Sequence, residues 1–469
     1  MTMIEIKFGT DGWRGIIAED YTFENVEKVA LAFSKFYKQH PKVANGVVVG
    51  GDARFGSQDF AERAAQVIAG QGIKVWLCDD VVSTPMVSLA IIKKKAAAGV
   101  MITASHNPPG WNGFKIKGDF GGSALVSDIK KIERILANII ASGKVTKSRT
   151  VDELKKSKMI VPFDAHTIYL AEIRKKIDLD AIRKSKMKIA YDVMYGAGYG
   201  VMTQLLPDVV CLHDEHNPGF KGVPPEPLAQ NVPELIELVR KEKFDIGIIT
   251  DGDADRLGAV DEHGTFVSTQ VIIPILLKYL HEYRKQKGSV VKTVSVSDLV
   301  SRMCEKYGLK LYQRPVGFKY VTELMITEKV LIGGEESGGV GTSIHMPERD
   351  GIFNALLLCE YLAKRKLTLG QAAEEIYKEF GRVFYDRIDF HTTEAKKKAV
   401  LSACDKGPKR LGQHAVLSTE TVDGYKFRVE GGWLLIRASG TEPLLRFYAE
   451  ADTEHKVKAL LAAAMKLAG

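Results

Sequence analysis

Three aspartates alternate in the stretch DGDADR, Asp251, Asp253 and Asp255, directly after an apolar run. Residues two apart in an extended segment project to one side, so the three carboxylates repel one another unless a hard cation joins them. The stretch mimics a calcium-binding EF-hand loop, with Glu262 at its twelfth position. That reading fails, because Arg256 stands where the loop needs glycine and the flanks IGIIT and LGAVD have strand character. With few protein ligands and room for water or a phosphate oxygen, Mg²⁺ suits the stretch better. A solvated acidic turn is the plain alternative.

Ser105 lies in GVMITASHNPPGWNGFKI, where a buried run stops at Ser105, His106 and Asn107, and Pro108 and Pro109 stiffen the turn after it. As a hydrolase nucleophile it needs a base. His106 is its immediate neighbour, neighbours at a strand end point apart, and no GxSxG elbow surrounds it. The alternative is a serine that carries a phosphoryl group, with metal-assisted transfer and Lys115 to stabilise charge or move a proton. GGEESGG supplies Glu335 and Ser337, a carboxylate and a hydroxyl that can grip vicinal sugar hydroxyls where glycines let the backbone approach, although a flexible turn has the same composition. RASGTEPLLR carries Arg437, Ser439, Gly440, Thr441 and Arg446, the makings of a phosphate clamp. A polar turn would explain Ser-Gly-Thr but not the arginines on both sides. Arg14 in FGTDGWRGI is a further anion contact.

The elements that must position these stretches repeat. VVVGGDAR, a helix through Ala61 to Ala69, IKVWLCDD and GVMITASHN form one strand and helix series. KIAYDVMYGAG, VVCLHDEHN, the helix PELIELVRKEK and DIGIITDGDADR form a second; TVSVSDLVS, LKLYQRPVGFK, TELMITE and VLIGGEESGG form a third. Alternating strands and helices predict three related α/β domains with mixed, largely parallel sheets. Ligands bind beyond the carboxyl ends of such strands, and ASHNPPGWNG, DGDADR and GGEESGG each follow the third strand of their copy, which predicts three loops facing one cleft. From about residue 385, VFYDRIDFHT, YKFRVEGGWLLIRASG and EPLLRFYAEA predict a smaller C-terminal α+β domain with an antiparallel sheet. The expected domains are 1–150, 151–262, 263–382 and 383–469.

Composition narrows the partners. The chain of 469 residues is 45% hydrophobic and 26% charged, with a net charge of +8. Its lysine clusters (Lys93 to Lys95, Lys184 to Lys188, Lys396 to Lys398) are mixed with apolar residues at helical spacing or lie in connections, and no nucleic-acid module accompanies them. Small anionic ligands fit the excess equally well. The five cysteines lie far apart without CxxC spacing, so neither a disulfide framework nor a zinc site is expected. No signal peptide or membrane span is read, because the most apolar run, VIIPILL, is broken by Pro274 and followed by Lys278. A cytoplasmic location is expected.

The four stretches TASHNPPGWNGFKI, DGDADR, GGEESGG and RASGTEPLLR, in this order and spread over essentially the whole chain, resemble the α-D-phosphohexomutase family. The resemblance implies a four-domain enzyme that interconverts hexose 1-phosphate and hexose 6-phosphate through a hexose 1,6-bisphosphate. Phosphorylated Ser105 would be donor and acceptor, with Mg²⁺ held by Asp251, Asp253, Asp255 and the phosphoserine. Glu335 and Ser337 would bind sugar hydroxyls, and Arg437, Ser439, Gly440, Thr441 and Arg446 the phosphate that is not reacting. Arg14, Lys115 and Arg256 would surround the transferring group, and Lys319 would border the sugar. Members with broad glucose and mannose use often have histidine where this chain has Gly339, so phosphoglucomutase is favoured, with phosphomannomutase activity beside it and phosphoglucosamine mutase as the alternative. His345 is a candidate for the missing polar role. A catalytically silent sugar-phosphate sensor on the same fold and a magnesium-dependent phosphatase are readings from other classes.

Overall fold

The computed structural model describes residues 6–143, 149–438 and 444–467. Its first sheet contains β1 (Trp13–Ile16), β2 (Val47–Gly51), β3 (Val75–Cys78), β4 (Ala98–Ile102), β5 (Trp111–Gly118) and β6 (Ile160–Phe163), in the order β1-β5-β4-β2-β3-β6. The second contains β7 (Ile189–Asp192), β8 (Val210–Leu212), β9 (Ile246–Thr250), β10 (Leu257–Asp261) and β11 (Phe266–Val267), in the order β11-β10-β9-β7-β8. The third contains β12 (Ser289–Thr293), β13 (Leu311–Arg314), β14 (Val330–Gly334) and β15 (Val340–Thr342), in the order β13-β12-β14-β15.

Each copy has the same internal plan. β2 pairs in parallel with β3 and β4, β7 with β8 and β9, and β12 with β13 and β14. The next strand then runs antiparallel: β5 on β4, β10 on β9, β15 on β14. The connection at that reversal is ASHNPPG, DGDADR or EESGG, so the expected placement of the three loops holds. β4, β9 and β14 are buried along their whole length, as the near-continuous apolar runs of central parallel strands require.

Two readings differ from the outcome. In the third copy the strand is Ser289–Thr293, and most of TVSVSDLVS lies beyond it, with a helix over Asp298–Tyr307 capped by the Ser297 hydroxyl. The cap explains the error, since Ser-Asp before an apolar-periodic run is a helix start. Strands β6 and β11 lie beyond residues 150 and 262, yet pair with the first and second sheets.

The last region has β16 (Phe384–His391), a small hairpin of β17 (Arg410–Leu411) and β18 (His414–Ala415), then β19 (Ser418–Glu420), β20 (Tyr425–Val429), β21 (Gly432–Ala438) and β22 (Leu444–Ala451). Its main sheet, β16-β22-β21-β20-β19, is antiparallel throughout and is covered by helix Glu454–Leu467. The fold is therefore α/β in three copies plus an α+β unit. Buried apolar residues of the three copies join in one cluster that includes Met101, Ile248 and Ile332, whereas Phe427, Phe447 and Leu461 belong to a separate cluster in the last unit. Among the described residues no helix is long and apolar enough to cross a membrane, and all five cysteines are free.

Candidate active site

The chain leaves β4 at Thr103, whose Oγ1 donates to Asp52 Oδ2 at 2.6 Å and accepts the Ser105 N–H at 2.8 Å. Arg54, at the end of β2, secures the same loop. Its Nη2 donates to the carbonyls of Ser105 (2.5 Å) and Asn107 (2.6 Å), and its Nη1 to those of Pro108 (2.9 Å) and Trp111 (3.1 Å). One buried guanidinium thus bonds four carbonyls of the turn and of the first residue of β5. The sequence reading passed over Arg54; the signal available was a charged pair, Asp52 and Arg54, ending a fully apolar strand.

Ser105 itself has φ 54°, in the left-handed region. This overturns the argument that set His106 aside: strand alternation does not apply at such a residue, and His106 Nδ1 lies 3.5 Å from Ser105 Oγ. Burial, reinforced by Arg256, Arg14, Arg446 and Arg54, pushes the imidazole well below its ordinary pKa and keeps it neutral near pH 7.

Ser105 Oγ donates to Asp251 Oδ2 at 2.7 Å, while Asp251 Oδ1 accepts the backbone N–H groups of Asp255 and Arg256, both at 3.0 Å. Asp251, Asp253 and Asp255 are fully buried, and each offers an oxygen within 4.8 Å of the others. Gly252 lets the two loops meet: a Cβ there would stand 2.4 Å from the Ser105 carbonyl oxygen. Burial and the charges of Asp253 and Asp255 push the Asp251 carboxyl well above its ordinary pKa, and Oδ1 of both Asp253 and Asp255 lacks a hydrogen-bond partner among the described residues. Unpartnered buried carboxylate oxygens in a mutually repelling set, beside a serine hydroxyl, are what a divalent cation would satisfy. The residues fit a metal ion.

Lys115, on β5, meets the same triad. Its Nζ is 2.7 Å from Asp253 Oδ2, 3.1 Å from Asp255 Oδ2 and 2.9 Å from Asp11 Oδ2. Burial alone would lower its pKa, but Asp11, Asp253 and Asp255 outweigh burial and hold it as a cation. Lys117, two residues on and on the same face of the strand, pairs with Glu348 at 2.5 Å. Arg349 then joins all three copies: it binds Asp11, lies 2.8 Å from Asp255 Oδ2 and reaches within 3.8 Å of Glu335 Oε2. Neither Asp11 nor Arg349 was singled out from the sequence. Asp11 shares FGTDGWRGI with Arg14, but PERDG gives no local sign that Arg349 meets residues from two other sheets.

Glu335 is buried; its Oε1 accepts the Gly317 N–H at 2.9 Å, and burial pushes its carboxyl up against the lowering effect of Arg349 and Arg256. Ser337 is half-buried on the same loop. Gly339 and Arg256 form an isolated antiparallel bridge, so the second and third loops are joined through their backbones. A Cβ at Gly339 would lie 2.4 Å from Arg349 Cδ, which means Arg349 fills the space that a side chain at 339 would need. Lys319 Nζ is 3.5 Å from the Gly9 carbonyl, and Arg14 donates to Asn107 Oδ1 at 2.5 Å, so both border the Ser105 loop or its neighbour. Arg256 Nε is 3.8 Å from Asp251 Oδ2. His345 lies apart from these groups, bonded to Asp350 at 2.9 Å and stacked on Phe353 at 4.0 Å.

On the antiparallel sheet, Arg437 of β21 and Arg446 of β22 stand directly opposite one another. Like charges in register destabilise a sheet unless an anion lies between or beside them. Asp423 Oδ2 accepts Arg437 Nε at 2.7 Å, but Arg446 Nε is buried, 3.6 Å from Asp389 Oδ2 and without an acceptor among the described residues. The pair fits a phosphate group. Ser439, Gly440 and Thr441 lie outside the described residues.

Family comparison agrees with this geometry. The chain matches "Phosphoglucomutase/phosphomannomutase" alpha/beta/alpha domains I, II and III over residues 5–142, 167–264 and 269–380, and the C-terminal domain of the same family over 391–467. It is 29% identical to a Thermococcus kodakarensis protein named phosphoglucomutase/phosphomannomutase, over 98% of both chains. It is 32% identical to a Pyrococcus abyssi protein named phosphoglucosamine mutase, over 98% of this chain and 97% of the other. A solved structure from Thermus thermophilus, described as a phosphomannomutase, superposes with a TM-score of 0.84 at 33% identity over 98% of both chains. With serine, carboxylate triad and arginine pair on a fold shared over its full length with these mutases, the chain belongs to the phosphoglucomutase/phosphomannomutase family of phosphohexomutases and is an isomerase.

Proposed function

We propose that the enzyme interconverts hexose 1-phosphate and hexose 6-phosphate, with glucose as the preferred sugar and mannose as a second substrate. The observation that carries this reading is the Ser105 hydroxyl 2.7 Å from Asp251, beside two buried carboxylates with unpartnered oxygens. Asp251, Asp253, Asp255 and the phosphorylated Ser105 would hold Mg²⁺. When bound, the ion neutralises charge on the transferring phosphoryl group.

The chain's own residues do the rest. The bond from Ser105 Oγ to phosphorus breaks as the free sugar hydroxyl oxygen bonds to phosphorus, and the hydroxyl proton passes to a neutral base. His106, 3.5 Å from Oγ, lies beside the departing oxygen, so its place in this exchange is to pass a proton to Ser105 Oγ as that bond breaks. Lys115, held protonated by its three carboxylates, stabilises the transferring charge together with Arg14 and Arg256. Glu335, Ser337 and Lys319 orient the sugar, while Arg437 and Arg446, with Ser439, Gly440 and Thr441, retain the other phosphate. The hexose 1,6-bisphosphate turns over in the cleft, and its second phosphate returns to Ser105. We retain domain divisions near residues 150, 262 and 382, with β6 and β11 reaching back across two of them, and a cytoplasmic location with sugar phosphates as partners.

A second reading, phosphoglucosamine mutase, is favoured by the names of relatives such as that from Pyrococcus abyssi. Parallel assays with glucose 1-phosphate, mannose 1-phosphate and glucosamine 1-phosphate decide between them by kcat/KM. Ser105→Ala is expected to lose turnover of all three and to lose the phosphate detected on the wild-type chain by intact mass, with unchanged melting; substantial residual turnover would sink the assignment.

A further inference from the structure

Asp423 lies between β19 and β20 and contacts both the third and the fourth units. Its Oδ2 accepts the backbone N–H of Val316 at 2.9 Å as well as Arg437 Nε at 2.7 Å. The next backbone N–H along, that of Gly317, donates to Glu335 Oε1 at 2.9 Å. Gly317 has φ 131°, a conformation that side chains rarely adopt, at the turn where two successive N–H groups serve two different carboxylates. An unbroken path of short hydrogen bonds therefore runs from Glu335 on the third sheet to Arg437 on the fourth. The parallel path to the other arginine is looser: Glu336 to Arg387 at 3.3 Å, Arg387 to Asp389 at 3.0 Å and Asp389 to Arg446 at 3.6 Å.

We propose that Asp423 is a positioning residue, which holds the Arg437 guanidinium at a fixed distance from the Glu335 carboxylate so that phosphate and sugar hydroxyls are gripped as one rigid span. The two units have separate main cores and meet at a small apolar cluster of Val294, Val316, Trp433, Leu435 and Tyr448; beside that contact, polar links such as this one orient the groups that face the cleft. A ligand with a phosphate at one end and hydroxyls at the other gains from the fixed span, because engaging one end raises the effective concentration of the other. A ligand with only a phosphate does not. The inference rests on the mutase reading for the nature of the ligand.

The test uses the full chain and titration calorimetry with two probes, glucose 6-phosphate and inorganic phosphate. Asp423→Ala is expected to weaken glucose 6-phosphate roughly tenfold, the scale of one charge-assisted hydrogen bond, and inorganic phosphate by no more than about twofold. Asp423→Asn keeps an acceptor for the Val316 N–H but loses the charge facing Arg437, and is expected to fall between; it also decides the matter if the alanine variant does not fold. Equal weakening of both probes, or weakening of neither, would overturn the proposal. If the wild-type chain isomerises no hexose phosphate, the mutase reading falls, while the comparison of the two probes still decides the role of Asp423.

Discussion

Around Lys115 a single ammonium is enclosed by Asp11, Asp253 and Asp255, with Arg349 pressed against two of the same carboxylates. Around Arg446 the balance is reversed: two guanidiniums face each other across adjacent strands, and among the described residues the Arg446 Nε has no acceptor. The first region sits where three sheets share one apolar cluster; the second lies on the sheet face of Trp433, Leu435 and Tyr448, which pack with Val294 of the third unit, while the opposite face carries the fourth unit's own core. Phosphoryl transfer needs reacting groups fixed to a fraction of an ångström, which suits a charge network over-determined from three sides. Under the proposed mutase function, a clamp that accepts either end of a sugar is better left with spare positive charge and fewer constraints.

The comparison is broken most directly at Arg349. Arg349→Ala leaves Asp11 and Asp255 short of one buried cation, and the expected cost is about 3–5 kcal/mol of stability, read from the denaturant midpoint. Turnover should fall with it, because Asp255 and Glu335 lose a common support. A loss under about 1 kcal/mol would mean that Lys115 alone suffices, and that the transfer site is not over-determined.

Removing the other side of the comparison should cost binding rather than stability. Arg446→Ala relieves the repulsion with Arg437 in the free enzyme, so its melting point should hold or rise slightly, while KM for the best hexose 1-phosphate rises about tenfold to a hundredfold. If melting falls as far as for Arg349→Ala, the clamp is structural and the contrast fails.

The smallest effect concerns the contact between the fourth unit and the third. Lys426 donates to the Val294 carbonyl at 2.8 Å and lies over the Trp433 ring. Burial, then the neighbouring Lys292, brings its pKa down to about 7. An unfolded chain holds that proton to about pH 10.4. Between these values the unfolded state binds more protons, so stability rises with pH through the window and the gain is lost as pH falls toward 7. Replacement by methionine should flatten that part of a melting-point profile between about pH 7 and 9.5; an unchanged slope would assign it to another group.

Much of this was legible from residue types. DGDADR marked a set of mutually repelling carboxylates, RASGTEPLLR marked two arginines close together, and the repeated strand order placed three loops at equivalent strand ends, because hydrophobic runs and turn residues are local signals. The His106 argument failed for a local reason too: nothing in TASHN says that Ser105 takes φ 54°. The bounds in the third copy slipped because Val, Ser and Asp at 294–298 read equally as strand end or helix cap.

The sequence by itself determined which chemical groups are present, in what order, and on which kind of element each stands. Only the tertiary structure decided that Asp11, Lys115, Asp255 and Arg349, from three sheets and as many as 338 positions apart, would share one buried volume. The physical reason is that a buried charge is tolerable only with its counter-charge in place, and the packing of whole sheets, rather than local sequence spacing, brings those counter-charges within about 3 Å.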